Sequence, residues 1–421
     1  MSKWKQMVLG DMGHTYGGLT NKTIVDFGFG KPFIPYMNIF SNGKINPKFL
    51  VLVNINPGER QNTVKYGDLF FTTSSETVEE VGMTSVLLDD IGEAYLNSFC
   101  FGFRLNNFDD LLPEFAPFLF RGLELRKKIS LFGQGSTRYN LPKTELLAKL
   151  KIDLPTIPEQ RKIAKILSTT DTVIEKTQAA IAKYKAIKQG MLNDLFTRGI
   201  DIKTGRLRPK YEDAPELYKE SELGWIPIEW DILVLGEKVL SYAGGTPSRS
   251  REDFFKGKIP WISSSEVNQD EISKTKEYIT EEALNNSSAK LVPKDSVLIA
   301  LYGATAGQIS YLRIEATTNQ AVLACLNSET IDSKFLYYLL SNNKDRILYK
   351  AQGSGQPNLS KQIIDELNFA VPQINEQNEI YSRLNVVDNK LNIEKKFLQK
   401  IQQTKSGLMA DLLSGNKIVT A

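Results

Sequence analysis

Along two stretches of this chain apolar residues return every third or fourth position. In the first, Ile163, Leu167, Thr170, Ile174, Thr177, Ile181, Tyr184, Lys188, Met191 and Leu195 alternate steps of four and three. In the second, Ile380, Leu384, Val387, Leu391, Glu394, Leu398, Ile401, Lys405, Leu408 and Leu412 keep the same register. Sustained four-three spacing predicts a coiled-coil seam. Its polar positions coincide, Thr177 with Glu394 and Lys188 with Lys405, and polar seam residues fix register and partner. Pro155 and Pro158 stand at the start of the first stretch and Pro372 before the second. Gly199 and the Gly415-Asn416 pair offer C-terminal caps. Each predicted helix has about 40 residues and a length of roughly 60 Å.

The two stretches are copies. From Ile157 and from Ile374 the sequences align without a gap, 217 residues apart, so that Glu159 matches Glu376, Gln160 matches Gln377, Asp171 matches Asp388, Gly190 matches Gly407 and Asp194 matches Asp411. The segments before them repeat more loosely. WKQMVLGDM at Trp4 answers WDILVLGEK at Trp230, Tyr16–Thr20 answers Tyr242–Thr246, and Ile34-Pro35-Tyr36 answers Ile259-Pro260-Trp261. Lys65–Phe71 resembles Val292–Leu298, and Gly135-Ser136 with Asn140-Leu141 matches Gly353-Ser354 with Asn358-Leu359. An internal repeat of this length means two similar halves joined end to end.

Short β-prone runs at Phe49–Val53 and Val297–Leu301 predict strands, and Phe335–Leu340 and Glu281–Asn285 predict helices. The expected fold class is therefore α/β. Two similar globular parts, 1–153 and 229–370, are separated by two long helices, 154–199 and 371–421 with its tail, which pair antiparallel as a coiled coil. Antiparallel pairing spares the chain a long crossover, sets the globular parts at opposite ends of a rod and gives a pseudo-twofold repeat. Residues 200–228 are polar and punctuated by Pro and Gly, which predicts an irregular linker. Its Lys203, Arg206, Arg208 and Lys210 are candidate phosphate contacts.

Composition narrows the function classes. With 421 residues, 41% hydrophobic and 24% charged, the chain reads as an ordinary globular protein of several domains. A net charge of +3 does not announce nucleic acid, so cationic surface must come from local clustering. Met1–Gly18 has no long apolar run and no stretch elsewhere is long enough to span a bilayer, so the expectation is a cytoplasmic protein without signal peptide or membrane span. Cys100 and Cys325, one per half, read as small buried apolar residues. The single histidine, His14, makes a structural zinc site unexpected and reads as a loop residue. Phe27-Gly28-Phe29-Gly30 lacks the spacing of a dinucleotide loop, and Gly303–Gly307 lacks the Gly-Lys-Ser/Thr ending of a phosphate loop. No nucleophile elbow and no carboxylate pair with a nearby Lys is present, so catalysis by this chain is not expected.

The loops instead carry recognition chemistry. Thr20, Asn21 and Lys22 after Gly18, and Thr246, Ser248, Arg249 and Arg251 after Gly245, combine backbone access, hydroxyls and cations, groups that bind phosphate oxygens. Gln134, Arg138 and Asn140 in the first half, with Gln352, Gln356 and Asn358 in the second, match base edges, since Gln and Asn pair bidentately with adenine and Arg with guanine.

At this point the chain resembles the specificity subunits of type I restriction-modification systems. The resemblance covers essentially the whole sequence. It rests on the P-x-I-P-E-Q opening at Pro155–Gln160, echoed at Pro372–Gln377, on SELGWIPIEW at Ser221–Trp230, and on YGATAGQIS at Tyr302–Ser310 with Thr318-Asn319-Gln320. The first half departs from it, with FFTTSSETVEEVG at Phe70–Gly82 and Leu96-Asn97-Ser98 in the corresponding places, which implies a different kind of half-site. The family implies a non-catalytic subunit whose two target recognition domains each read half of a split site in double-stranded DNA, with the paired helices as a ruler for the unread spacer. It also implies docking of two adenine methyltransferase subunits, and of two restriction-translocase subunits in the full complex. S-adenosylmethionine would sit on the methyltransferase and ATP with Mg on the nuclease partner, leaving this chain without cofactor or metal. Three other readings stand beside it: a related modification system lacking the nuclease, a coiled-coil scaffold whose ends bind proteins, and an unrecognised nuclease or methyltransferase.

Overall fold

A computed structural model describes residues 4–351 and 358–414. The chain forms two compact units, Met1–Ala179 with Lys395–Ala421, and Ala180–Glu394. Each takes its recognition module from one half of the sequence and helical segments from both halves.

In the first unit, Lys5–Val8 pairs antiparallel with Lys151–Leu154 and closes the module where it begins and ends. A four-stranded sheet follows the order Gly13–Gly17, Cys100–Leu105, Leu69–Thr72, Thr84–Val86. A three-stranded sheet has Phe27–Ile34 at its centre, flanked by Val51–Val53 and, in parallel, Tyr95–Leu96. Alternation places Leu69 and Phe71 in the same cluster as Phe103 and Phe115, while Phe70, between them, packs with Ile34 and Ile39 on the other face. Each such fully buried side chain contributes about 1.5–3 kcal/mol.

The second unit repeats this plan with one strand added to each sheet. Asp231–Val234 pairs with Asn368–Val371. The larger sheet runs Ser241–Ala243, Val322–Cys325, Val297–Ala300, Ile309–Leu312, Glu271–Ile272. The smaller has Ile259–Ile262 between Glu277–Ile279 and Ala316–Thr318, with Leu291–Val292 beyond. Helix Ser333–Asn342 starts at Asp332, whose carboxylate accepts from the Lys334 and Phe335 amides, and buries Phe335, Leu336, Leu339 and Leu340. Helix Glu281–Asn285 lies where its sequence predicts it.

The long helices run Ile157–Thr197 and Ile374–Leu413. Both are anchored by the same side chain. Gln160, fully buried, donates to the Asp110 and Pro155 carbonyls at 2.7 and 3.0 Å and accepts from the Leu112 amide at 2.9 Å. Gln377 donates to the Thr330 and Pro372 carbonyls, both at 2.8 Å, and accepts from Asp332 at 2.9 Å. A buried amide with all three partners ties each helix start to the loop ahead of a module helix.

Within each unit the two long helices pack antiparallel. In the first, Ile163 and Leu167 share a core with Leu412, and Lys405 pairs with Asp171. In the second, Leu192 and Leu195 share a core with Ile380 and Leu384, and Lys188 reaches Asp388 at 2.6 Å. Of the seam residues, Ile163, Leu167, Ile181, Leu195, Ile380, Leu384, Leu391 and Leu412 are buried, and Ile174, Met191, Leu398 and Leu408 are half-buried.

Residues 200–228 correct the expectation of an irregular linker. Ile200–Asp201 forms a hairpin with Arg206–Leu207, and Tyr218–Ser221 with Gly224–Pro227. Arg208 is buried, so it is no phosphate contact. Its guanidinium holds Glu376 through bonds of 2.6 and 3.0 Å, and the same carboxylate accepts from the Ile200 amide and the Trp230 indole. Gly199 makes this possible: its φ is +61°, and a Cβ there would meet the Glu376 carboxylate at 2.1 Å. The predicted cap at Gly415-Asn416 lies outside the described residues.

Candidate nucleic-acid interface

The recognition loops leave their sheets at equivalent points. The Leu19 amide donates to Leu96 in the first unit and the Gly245 amide to Thr318 in the second. Each acceptor lies on a strand parallel to the central one, pairing Ile34 with Leu96 and Ile262 with Thr318. Asn97 then donates to Ile34 and Asn319 to Ile262. Ile262 is therefore the counterpart of Ile34, and Trp261 that of Phe33. The Ile-Pro-aromatic match made from sequence is out of step, because the second loop is two residues longer between Thr246 and Trp261 than the first between Thr20 and Phe33.

In the first unit Thr20 is tied to Gln61, whose amide accepts from the Thr20 amide at 3.1 Å and returns a bond to its carbonyl at 2.9 Å. Asn21 is exposed at φ +54°, a left-handed position that asparagine tolerates. Lys22 is not the free cation its sequence suggests. Its side chain is only 5% exposed and its ammonium is 2.6 Å from Glu59. That hydrogen bond, with others from Gln61 and the Asn56 amide, lowers the Glu59 carboxyl to about 2. Gln134 and Asn140 exchange backbone bonds across an exposed turn, and the Gln134 side chain reaches Glu145 at 3.1 Å. Arg138 donates to the Ser74 hydroxyl at 2.9 and 3.1 Å. Gln134, Arg138 and Asn140 thus share one turn.

In the second unit Thr246 bonds Gln320, and Ser248 bonds Ser250 at 2.8 Å. Arg249 lies over Phe255 and Trp261, 4.1 and 4.8 Å from the ring centres, and pairs with Glu277 at 2.8 Å. Arg251 lies 4.3 Å over Phe254 and holds Asp253 and Glu282 at 2.6 and 3.0 Å. Both guanidinium planes are fixed by aromatic stacking and carboxylates, yet their side chains remain about half exposed. The spacing of the carboxylates and aromatics in sequence gave no signal of this. Asn358 bridges to Tyr302. Gln352 and Gln356 lie outside the described residues.

His14, expected in a loop, lies instead on the exposed face of strand Gly13–Gly17, and Cys100 and Cys325 are buried, where desolvation pushes each thiol up to about 12. Among the described residues no group of three His, Cys, Asp or Glu could hold a metal ion, and no helix is long and apolar enough to cross a membrane.

One face of each long helix also borders a cavity against its own module. In the first unit Ser168, Asp171, Thr172 and Glu175 line a groove of about 1200 Å³. In the second, Asn385, Asp388, Asn389 and Asn392, offset by the same 217 residues, line one of about 250 Å³ whose far wall is Tyr311, Tyr337 and Tyr338.

Comparison with known proteins places this geometry. The chain is 26% identical over 308 residues to the type I restriction enzyme MjaVIII specificity subunit of Methanocaldococcus jannaschii, covering 71% of this chain and 69% of that one. It is 31% identical over 188 residues to the EcoR124I/EcoR124II specificity subunit of Escherichia coli, 43% of this chain and 45% of that one. The crystal structure of the S subunit of a type I restriction-modification system from M. genitalium shares the fold, with TM-score 0.61, 17% identity and coverage of 97% and 96%. The family model for the type I restriction modification DNA specificity domain matches residues 1–184 and 227–403, one match in each half, and the chain belongs to that family as a two-module specificity subunit.

Proposed function

We propose that the chain is the non-catalytic reader of a bipartite DNA site, one recognition domain per half-site, with the long helices as ruler for the unread spacer. Thr20, Asn21, Gln134, Arg138 and Asn140 contact one half-site. Thr246, Ser248, Arg249, Arg251 and Asn358, with Gln352 and Gln356, contact the other. Two adenine methyltransferase subunits dock on the long helices, against the paired cavities, and restriction-translocase subunits join the full complex. S-adenosylmethionine belongs to the methyltransferase, which must extrude its target adenine from the duplex. ATP and Mg belong to the translocase.

The observation that carries this reading is the repeated anchor, Gln160 in one half and Gln377 in the other, each holding a long helix to its own module by the same three bonds. A frame repeated so closely, carrying loops of different chemistry, suits two readers of different half-sites served by one kind of partner.

Single-molecule sequencing of adenine methylation, in cells carrying this chain with and without the methyltransferase encoded beside it, tests the reading. A bipartite methylated motif that requires both genes supports it. An active methyltransferase with no motif depending on this chain points to a scaffold instead.

A further inference from the structure

Beyond its larger sheet each unit makes the same short pairing. In the first, strand Leu69–Thr72 runs on through Thr73 to Ser74, which stands opposite Asn140, and the Leu141 amide donates to the Thr73 carbonyl at 2.8 Å. In the second, Val297–Ala300 runs on through Leu301 to Tyr302, which bridges Asn358, and the Leu359 amide donates to the Leu301 carbonyl at 2.8 Å. Ser74 and Tyr302 are therefore counterparts, each set against a candidate base reader.

Opposite residues of an antiparallel pair share a face. Alternation turns Leu141 and Leu359 into the core and leaves Asn140 and Asn358 on the exposed side. What stands beside each asparagine differs. Ser74 is small and buried, and its hydroxyl accepts from Arg138 at 2.9 and 3.1 Å, so a guanidinium covers the place opposite Asn140. Tyr302 is 36% exposed, and among the described residues its hydroxyl has no hydrogen-bond partner. Where the first half has Arg138 two residues before its asparagine, the second has the uncharged Gln356.

The loop after Tyr302 is tied down at its far end. The Thr305 hydroxyl donates to the Ser264 carbonyl at 2.9 Å and the Gly307 amide to the Ala300 carbonyl at 2.8 Å. No charged residue lies between Leu301 and Gln308. An uncharged ring offers phosphate no counter-ion. It does pack on the apolar part of a base edge, the 5-methyl group of thymine, while asparagine pairs with adenine. We propose that Tyr302 is a specificity-determining residue of the second half-site, with its ring against a thymine methyl group next to the adenine that Asn358 reads. The inference rests on the function proposed above. In the first half the same place belongs to Arg138, whose match is guanine, so the two half-sites differ in kind at this position.

The test uses the full chain assembled with the methyltransferase encoded beside it, on duplexes in which each thymine of the methylated motif is replaced in turn by deoxyuridine, which lacks only the methyl group. One replacement should lower the wild-type methylation rate by roughly fourfold, the worth of one buried methyl group. Tyr302→Ala should lose about as much on the native duplex and be indifferent to that same replacement. Tyr302→Phe keeps the ring and should keep the sensitivity, and both variants should melt at the wild-type temperature. A Tyr302→Ala chain that responds to every replacement as wild type does overturns the proposal. So does a loss that is equal for all thymines and comes with a shallower salt dependence, which would assign Tyr302 to a phosphate. A wild-type assembly that methylates no bipartite motif removes the proposed function itself, and this inference with it.

Discussion

The two helix starts are copies in sequence and unequal in environment. Glu159, half-buried in the first unit, accepts from the Thr156 amide and hydroxyl at 2.9 and 2.8 Å and so satisfies the start of its own helix. Glu376, its counterpart, is buried and neutralised by Arg208 from a hairpin that wraps the second helix start. The same residue thus serves as a local cap in one place and as the centre of a tertiary junction in the other. What surrounds a repeated residue, rather than the residue itself, decides its energetic weight.

The largest expected effect follows from that difference. Arg208→Met strands a buried carboxylate and should cost about 3–5 kcal/mol, read as a shifted urea midpoint of the second unit. Glu159→Ala, which removes the acceptor, should cost about 1 kcal/mol. Equal losses would end the comparison.

The next test asks where the halves should agree. Gln160→Leu and Gln377→Leu each leave backbone groups without their partner and should each cost about 2–3 kcal/mol, measured in the same way. A loss confined to one of them would mean that the anchors are alike in geometry and unlike in strain.

The helix–helix ion pairs come third. Asp388 also accepts from the Tyr338 hydroxyl at 2.6 Å, and burial first, then Asp388, pushes that phenol well above its ordinary range. Asp388→Asn should therefore cost more than Asp171→Asn, with both near or below about 1 kcal/mol.

The smallest effect is acid-dependent. Lys22 holds Glu59 at about 2 against an ordinary 4.5, so the pair stabilises the fold above the unfolded value and the contribution is lost as pH falls towards 2. Glu59→Gln should lower the unfolding midpoint at neutral pH and match wild type near pH 2.

Much of the frame was legible in sequence because its signals are periodic. The heptads and the gapless copy placed both long helices to within a few residues, and Gly199 announced its own turn. The connector was misread because polar composition with Pro and Gly describes a hairpin as well as a loop, and nothing local shows that Arg208 has its partner 168 residues away. The candidate loops were chosen by chemical type, but the carboxylates that hold Lys22, Arg249 and Arg251 were not foreseen, since Glu59, Glu277 and Glu282 lie 28 to 37 residues away in sequence. The Ile-Pro-aromatic match failed because three residues of similarity outweighed a two-residue difference in loop length that only strand register exposes.

The way the units share their helices also has a consequence for biosynthesis. Leu412 is buried against Ile163 and Leu167, so the core of the first unit includes residues made only after the whole second module. The N-terminal module leaves the ribosome long before the helix that completes its core exists. Until then a leucine-rich face waits in water, exposed to proteases and to aggregation. A nascent chain stalled before Lys395 should carry a protease-sensitive first module, whereas the second unit, closed by Glu394, should already be compact.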